Sequence, residues 1–185
     1  MTELIAMPAG LRRIAELTDA ACRAPMDEMP GRMRAALAGV AGDAGLVPAA
    51  ACRPDPHGYT RYVLYADPLG RFTILSLVWA GGQFSPVHGH HTWCAYAVHE
   101  GELSETAFSY TAAAGTAAPL GTVRRNAGAV SFAYAGLDDI HKLGNGCDNV
   151  ARSIHIYGLD AARVGSHVNR VVRVDGVATA ALAPA

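Results

Sequence analysis

Hydrophobic residues recur along this chain with two different periods, and the change falls near residue 58. From about Thr2 to Val47 the spacing is helical: Leu11, Ile14, Ala15 and Leu17 form one set, and Met29, Met33, Leu37 and Val40 another. Pro25, Pro30 and Gly31 lie in the region that separates the two sets and predict a break there. After the turn-forming cluster Pro54 to Gly58 the period shortens to two. YTRYVLYA (59–66) and RFTILSLVWA (71–80) flank Asp67, Pro68, Leu69 and Gly70, the pattern of a hairpin. Further β-rich pieces follow at short intervals: WCAYAVHE, ELSETAFSY, a segment near Thr122 to Arg125, AVSFAYA and RSIHIYGL, each bounded by Gly, Pro, Asp or Asn. Many short strands with turn signals between them predict a sandwich or barrel. The small-residue stretch TAAAGTAAPLG (111–121) reads as a loop, and the tail VATAALAPA as loosely packed.

The length of 185 residues suits one well-buried core and is short for two ordinary domains. A single domain over residues 1–185 is expected, with a helical segment at 1–50, a β-rich body at 58–160 and a C-terminal extension at 161–185. The formal net charge is -1, from 15 basic and 16 acidic residues, so no electrostatic surplus is available for a phosphate backbone. Nucleic acid is not expected as a partner. The opening MTELIAMPAGLRRIAEL has no basic start, apolar run or cleavage site of a signal peptide, and nowhere do about eighteen apolar residues run together. These features predict a soluble, cytoplasmic protein that engages no membrane. Four cysteines, Cys22, Cys52, Cys94 and Cys147, are scattered without a CxxC pair and are expected to be reduced thiols.

The eight histidines carry more information. In GQFSPVHGHHTWCAYAVHEG (82–101), His88 and His90 are two apart, so on a strand their side chains leave the same face, separated by roughly 6.6 Å of rise. Two neutral imidazoles so placed can share a metal. The segment resembles the first cupin motif: Gly82, His88, His90 and Gly101 meet its spacings, while Cys94 occupies the position of the acidic ligand. Gly128, Gly136, His141 and Asn145 resemble the second motif more loosely, with Tyr134 where proline is usual and two extra residues before the histidine. The resemblance implies a cupin barrel, the double-stranded β-helix or jelly-roll, with His141 brought beside His88 and His90. Three neutral donors leave positions open and the charge of the metal uncompensated, which an incoming thiolate would balance. His91 points to the opposite face from His90 and reads as supporting structure. His57, His99 and His167 have no partner in the sequence and read as ordinary surface or core histidines.

A second constellation lies in RSIHIYG, where Ser153, His155 and Tyr157 alternate along a strand and share one side. Serine can bond histidine, and histidine can orient a tyrosine hydroxyl. From about Gly58 to Gly158, over half the chain, the sequence resembles the cysteine dioxygenase family, which includes the bacterial 3-mercaptopropionate dioxygenases. SPVHGHHTWC, EGELSETAF, the DIH segment and SIHIYG carry the match. It implies a cupin holding Fe(II) on His88, His90 and His141, with Ser153, His155 and Tyr157 as an outer-sphere triad. The family's carboxylate-binding arginine falls at Arg61, with Tyr59 on the same strand face, and a guanidinium fork matches a carboxylate in a bidentate manner.

Two departures from the family stand out. Gly89 replaces the usual aspartate between the ligands, removing an acceptor that could hold the imidazoles. Cys94 stands where mammalian members have the cysteine that crosslinks to the triad tyrosine, with one residue fewer after His90, so both a Cys94–Tyr157 thioether and a buried free thiol are compatible with the sequence. The expected activity is oxidation of a small thiol carboxylate by O2 to its sulfinic acid, with Arg61 favouring L-cysteine over 3-mercaptopropionate or mercaptosuccinate. A non-catalytic metal- or ligand-binding cupin and a zinc or manganese cupin isomerase or hydrolase are the other readings, and the missing acidic ligand counts against the latter.

Overall fold

The computed structural model describes residues 7–176, and the tail at 177–185 and the first six residues lie outside that range. Two helices come first: α1 (Ala9–Ala21) and α2 (Met29–Leu37). The break between them lies earlier in the chain than the sequence pattern suggests. Pro30 and Gly31 do not separate the helices but sit inside the first turn of α2, where the missing proline N–H has no intrahelical partner to lose. The separator is the turn from Cys22 to Pro25 with the single 3-10 turn Met26–Glu28 that leads into α2.

Eleven strands follow among the described residues: β1 (Thr60–Ala66), β2 (Thr73–Trp79), β3 (His88–His90), β4 (Cys94–Glu100), β5 (Glu102–Thr111), β6 (Thr116–Asn126), β7 (Val130–Ala133), β8 (Gly136–Gly144), β9 (Ala151–Tyr157), β10 (Asn169–Val171) and β11 (Arg173–Val174). They form a five-stranded sheet in the order β1-β2-β9-β4-β7 and a six-stranded sheet in the order β10-β3-β8-β5-β6-β11. Neighbours are antiparallel except β11 with β6. This is the cupin double-stranded β-helix, mainly β with a helical segment before it.

The stretch expected as a loop at 111–121 is mostly strand. Thr116 to Gly121 belong to β6, which pairs with β5 from Glu102↔Asn126 to Thr111↔Thr116, so only the turn at 112–115 remains. Small alanines gave no strand signal because β6 takes its conformation from the long β5 beside it. The segment after residue 160 also adds strands: β10 pairs with β3 through Asn169↔His90 and Val171↔His88.

The three central strands of the five-stranded sheet, β2, β9 and β4, are buried on both faces. Along β2 all seven residues are buried, with Leu75, Leu77 and Trp79 facing the barrel interior and Ile74 packing with Phe72 towards the helices. In β4 and β9 the same alternation sends Cys94, Tyr96, Val98 and Tyr157 inward and Ala95, Ala97, Ile154 and Ile156 outward. The outward set meets Leu11 and Ile14 of α1 and Met29, Met33 and Leu37 of α2. A salt bridge from Arg71 to Asp19 (2.5 Å) ties α1 to the β1–β2 turn. Burial of this kind stabilises by about 25 cal/mol per Å² of apolar surface.

Because Met33 is fully buried between the helices and the sheet, Met33→Ala is expected to lower the unfolding free energy by about 2–5 kcal/mol, measured by urea denaturation. An effect near zero would mean that the helices do not contribute to the same core.

Candidate metal centre

The β3–β8 pairing sets His88 opposite His141, and an irregularity between His88 and His90 shifts the register so that His90 faces Gly136. His88, His90 and His141 each offer a nitrogen, and the three atoms lie within 4.8 Å of one another. Ring centroids are 5.3 Å apart for His88 and His90, 4.6 Å for His88 and His141 and 5.1 Å for His90 and His141. The three imidazoles named from the sequence therefore converge.

Two of the rings are oriented from behind. His88 Nδ1 donates to the Pro86 carbonyl at 2.9 Å, and His141 Nδ1 donates to Glu105 Oε1 at 2.7 Å. Both partners are pure acceptors, so each Nδ1 carries the proton and each Nε2 of a neutral ring carries a lone pair. The two Nε2 atoms are 3.2 Å apart. Two lone pairs at that distance repel, and a cation between them turns the repulsion into bonding. This fits a metal. His90 Nδ1 is buried and has no hydrogen-bond partner among the described residues, so no contact of that kind fixes its ring there. Burial above all holds His88 well below the usual histidine range and pushes His90 down to about 3. Both are neutral ligands near pH 7.

Glu105 stands in EGELSETAF, apart from the histidine motifs of the sequence. It lies on β5 two residues from Leu103, on the inward face, and the β5–β8 register Ala107↔His141 brings its carboxylate to the His141 ring. Burial alone would raise its pKa, but the bonds from His141 and Arg125 outweigh this and lower it to about 2. Arg125 Nε donates to the other oxygen, Glu105 Oε2, at 2.6 Å. A buried glutamate on an otherwise apolar strand face was the available signal. No acidic residue is one of the three converging ligands, yet a carboxylate stands directly behind one of them.

Gly89 has a steric reason. A Cβ there would collide with the Gly136 carbonyl and come within 2.9 Å of Leu137 Cδ2, so β3 can lie this close to β8 only without a side chain. An aspartate at this position is excluded unless the strands part.

Ser153, His155 and Tyr157 line the inner face of β9 and are buried. Ser153 Oγ is 2.9 Å from His155 Nε2, and Tyr157 Oη is 3.3 Å from His155 Nδ1. Burial holds His155 well below the usual range and keeps the Tyr157 phenol well above its own. Cys94 forms no disulfide, its Cα faces that of Tyr157 across the β4–β9 pair, and burial raises the pKa of its thiol. On β1, Arg61 Nη2 donates to Tyr59 Oη at 2.6 Å, and the Tyr59 ring stacks on Trp79 with centroids 4.3 Å apart. Tyr59, Trp79, Cys94, His155, Tyr157 and the three converging histidines border one cavity. Asn169, from β10, borders it too and lies 3.5 Å from Tyr59 Oη. The sequence offered no signal for Asn169, whose place depends on β10 folding back against β3.

The remaining motif residues have structural positions. Asn145 Oδ1 accepts from the Cys147 N–H at 2.9 Å and its amide donates to the Trp79 carbonyl at 3.1 Å, which closes the turn after β8. His99 Nδ1 bonds the Val40 carbonyl at 2.7 Å, and His91 is exposed beside His167.

The sequence model of the family described as cysteine dioxygenase type I matches residues 49–164, more than half of the chain. Among solved structures the chain is similar to a protein from Thermus thermophilus, at 18% identity over 60% of this chain and 91% of that one, with a TM-score of 0.47. A protein with a double-stranded β-helix domain from Klebsiella pneumoniae is similar at 16% identity over 61% and 87%, with a TM-score of 0.48. A cupin superfamily protein from Desulfitobacterium hafniense is similar at 14% identity over 66% and 98%, with a TM-score of 0.46.

With Glu105 bonded to His141, Glu105→Gln is expected to weaken divalent metal binding by about 10–100-fold, read by competition of cobalt or zinc with a chromophoric chelator. An affinity equal to that of the unaltered protein would show that the carboxylate has no influence on the ligand.

Proposed function

The chain belongs to the cysteine dioxygenase type I family, and from that membership and the site we propose that it is a ferrous-iron thiol dioxygenase acting on a small thiol carboxylate, L-cysteine first. One observation carries the reading: among the described residues three histidines and no carboxylate converge, in a cavity whose rim includes Tyr59 bonded to the Arg61 guanidinium.

His88, His90 and His141 would hold the iron. Being neutral, they leave its charge to be balanced by an anionic ligand, which favours thiolate over thiol at the site. The chemistry that the metal supplies when bound is activation of dioxygen and transfer of both oxygen atoms to the thiolate sulfur, which yields a sulfinic acid.

The chain's own residues set position and polarity. Arg61 has one N–H on Tyr59 and a buried Nε without a partner. A buried charged donor left unpaired costs about 1–3 kcal/mol or more, and a substrate carboxylate would accept from it. Tyr59 holds the guanidinium by that bond and is itself held flat against Trp79. Tyr157 directs its hydroxyl, oriented by His155, at the carboxylate or the reacting oxygens, an electrostatic contribution fixed before substrate arrives. Asn169 beside Tyr59 borders the same pocket and adds a polar contact for groups near the carboxylate.

Purified protein loaded anaerobically with ferrous iron is expected to consume O2 with L-cysteine and form cysteine sulfinate in equal amount, measured with an oxygen electrode and by chromatography. Parallel reactions with 3-mercaptopropionate and mercaptosuccinate rank the substrates, and absence of uptake with all three would refute the proposal. Arg61→Gln is expected to raise KM for the preferred thiol by about tenfold, the value of one charge-assisted hydrogen bond. If KM is unchanged for every thiol, Arg61 does not bind the carboxylate.

A further inference from the structure

Trp79 touches both halves of the site. It is fully buried, its indole Nε1 donates to Ser153 Oγ at 2.9 Å, and its ring carries Tyr59 at 4.3 Å with the planes 20° apart. We propose that Trp79 is a positioning residue that sets the direction of the hydrogen-bond chain Trp79–Ser153–His155–Tyr157 and fixes His155 as the Nδ1–H tautomer. The inference rests on the dioxygenase reading only in taking Tyr157 as the group that meets substrate.

The direction follows from counting protons. An indole N–H can only donate, so the Ser153 oxygen accepts from Trp79 and cannot turn its own proton that way. Ser153 is fully buried, and among the described residues the one other polar atom bonded to its hydroxyl is His155 Nε2 at 2.9 Å. If the imidazole also donated to Ser153, the serine proton would be buried without an acceptor, at a cost of about 1–3 kcal/mol. Ser153 therefore donates to Nε2. A neutral imidazole that accepts at Nε2 has its proton on Nδ1, and that proton points at Tyr157 Oη, 3.3 Å away. Tyr157 consequently accepts from His155, and its own hydroxyl proton is left for the cavity, where the Cys94 sulfur beside it is the one protein acceptor among the described residues that a substrate would have to displace. With the opposite tautomer Tyr157 would donate back to Nδ1, and its proton would be lost to substrate.

The same indole is the floor under Tyr59, whose hydroxyl accepts from Arg61 Nη2 at 2.6 Å. Trp79 thus serves the carboxylate clamp through its face and the Tyr157 hydroxyl through its edge. The two contributions can be separated by substitution. Trp79→Phe keeps an aromatic face and removes the donor, whereas Trp79→Leu removes both.

The test reads the tautomer directly. In zinc-loaded, full-length protein labelled with 15N-histidine, two-bond 1H–15N spectra distinguish the tautomers, and a His155→Gln spectrum identifies the His155 signals. The unaltered protein is expected to show His155 wholly as Nδ1–H. In Trp79→Phe the serine proton is free to rotate, and the Nε2–H form is expected to appear beside it. In iron-loaded protein the same variant should lose about tenfold in kcat, equivalent to one oriented hydrogen bond, with KM for the thiol unchanged, while Trp79→Leu should raise KM as well. An Nε2–H tautomer in the unaltered protein overturns the proposal, and so does a Trp79→Phe variant that keeps pure Nδ1–H. The spectrum of the unaltered protein decides the direction even if neither variant folds. Protein with the expected tautomer that oxidises no thiol would refute the dioxygenase reading and leave the relay standing.

Discussion

Two imidazole nitrogens stand 3.2 Å apart with their lone pairs towards each other, and most of the local architecture holds them there. The protons that could have relieved the contact are committed elsewhere, that of His88 to the Pro86 carbonyl and that of His141 to Glu105. Burial opposes adding further protons, since both His88 and His90 are shifted towards the neutral form. The strands are close enough for this because Gly89 lets β3 approach the Gly136 carbonyl of β8, and β10 closes the other edge of β3. Such an arrangement is unfavourable for a bare protein and favourable for one with a cation at the centre.

Charge is distributed unevenly about that centre. The Glu105 carboxylate stands behind His141 and is neutralised in part by Arg125, while the Arg61 guanidinium is bonded to Tyr59, which borders the cavity. An anionic substrate would meet the positive side. The polar chain from Trp79 through Ser153 and His155 to Tyr157 runs along the same cavity with every link buried, so its geometry is held by the β2–β9 and β4–β9 pairings. Preorganised dipoles of this kind act without rearranging when charge develops.

Strand periodicity made β1, β2, β4, β7 and β9 legible: β2, β4 and β9 are buried almost throughout because both their faces are covered, while β1 and β7 at the sheet edges are partly exposed. The three converging histidines were legible for a different reason: HxH at strand spacing and a histidine followed four residues later by asparagine are short-range patterns. Long-range pairing is what escaped. The alanine-rich start of β6 has no β signal and is a strand only because β5 runs beside it, and Pro30 was read as a boundary although the first turn of a helix accepts it. Glu105 passed as one polar residue of a strand until the β5–β8 register set it against His141.

The order of residues alone determined which side chains share a strand face, that the protein is mainly β behind a helical segment, and which imidazoles have metal-ligand spacing, because these depend on neighbours two to four positions apart. Only the tertiary structure decided which proton each histidine keeps, that Gly89 is required by the Gly136 carbonyl, and that Trp79 and Asn169, from distant parts of the chain, border one cavity. Those properties depend on strand register between distant segments, and register is set by the packing of the whole barrel rather than by any local stretch of chain.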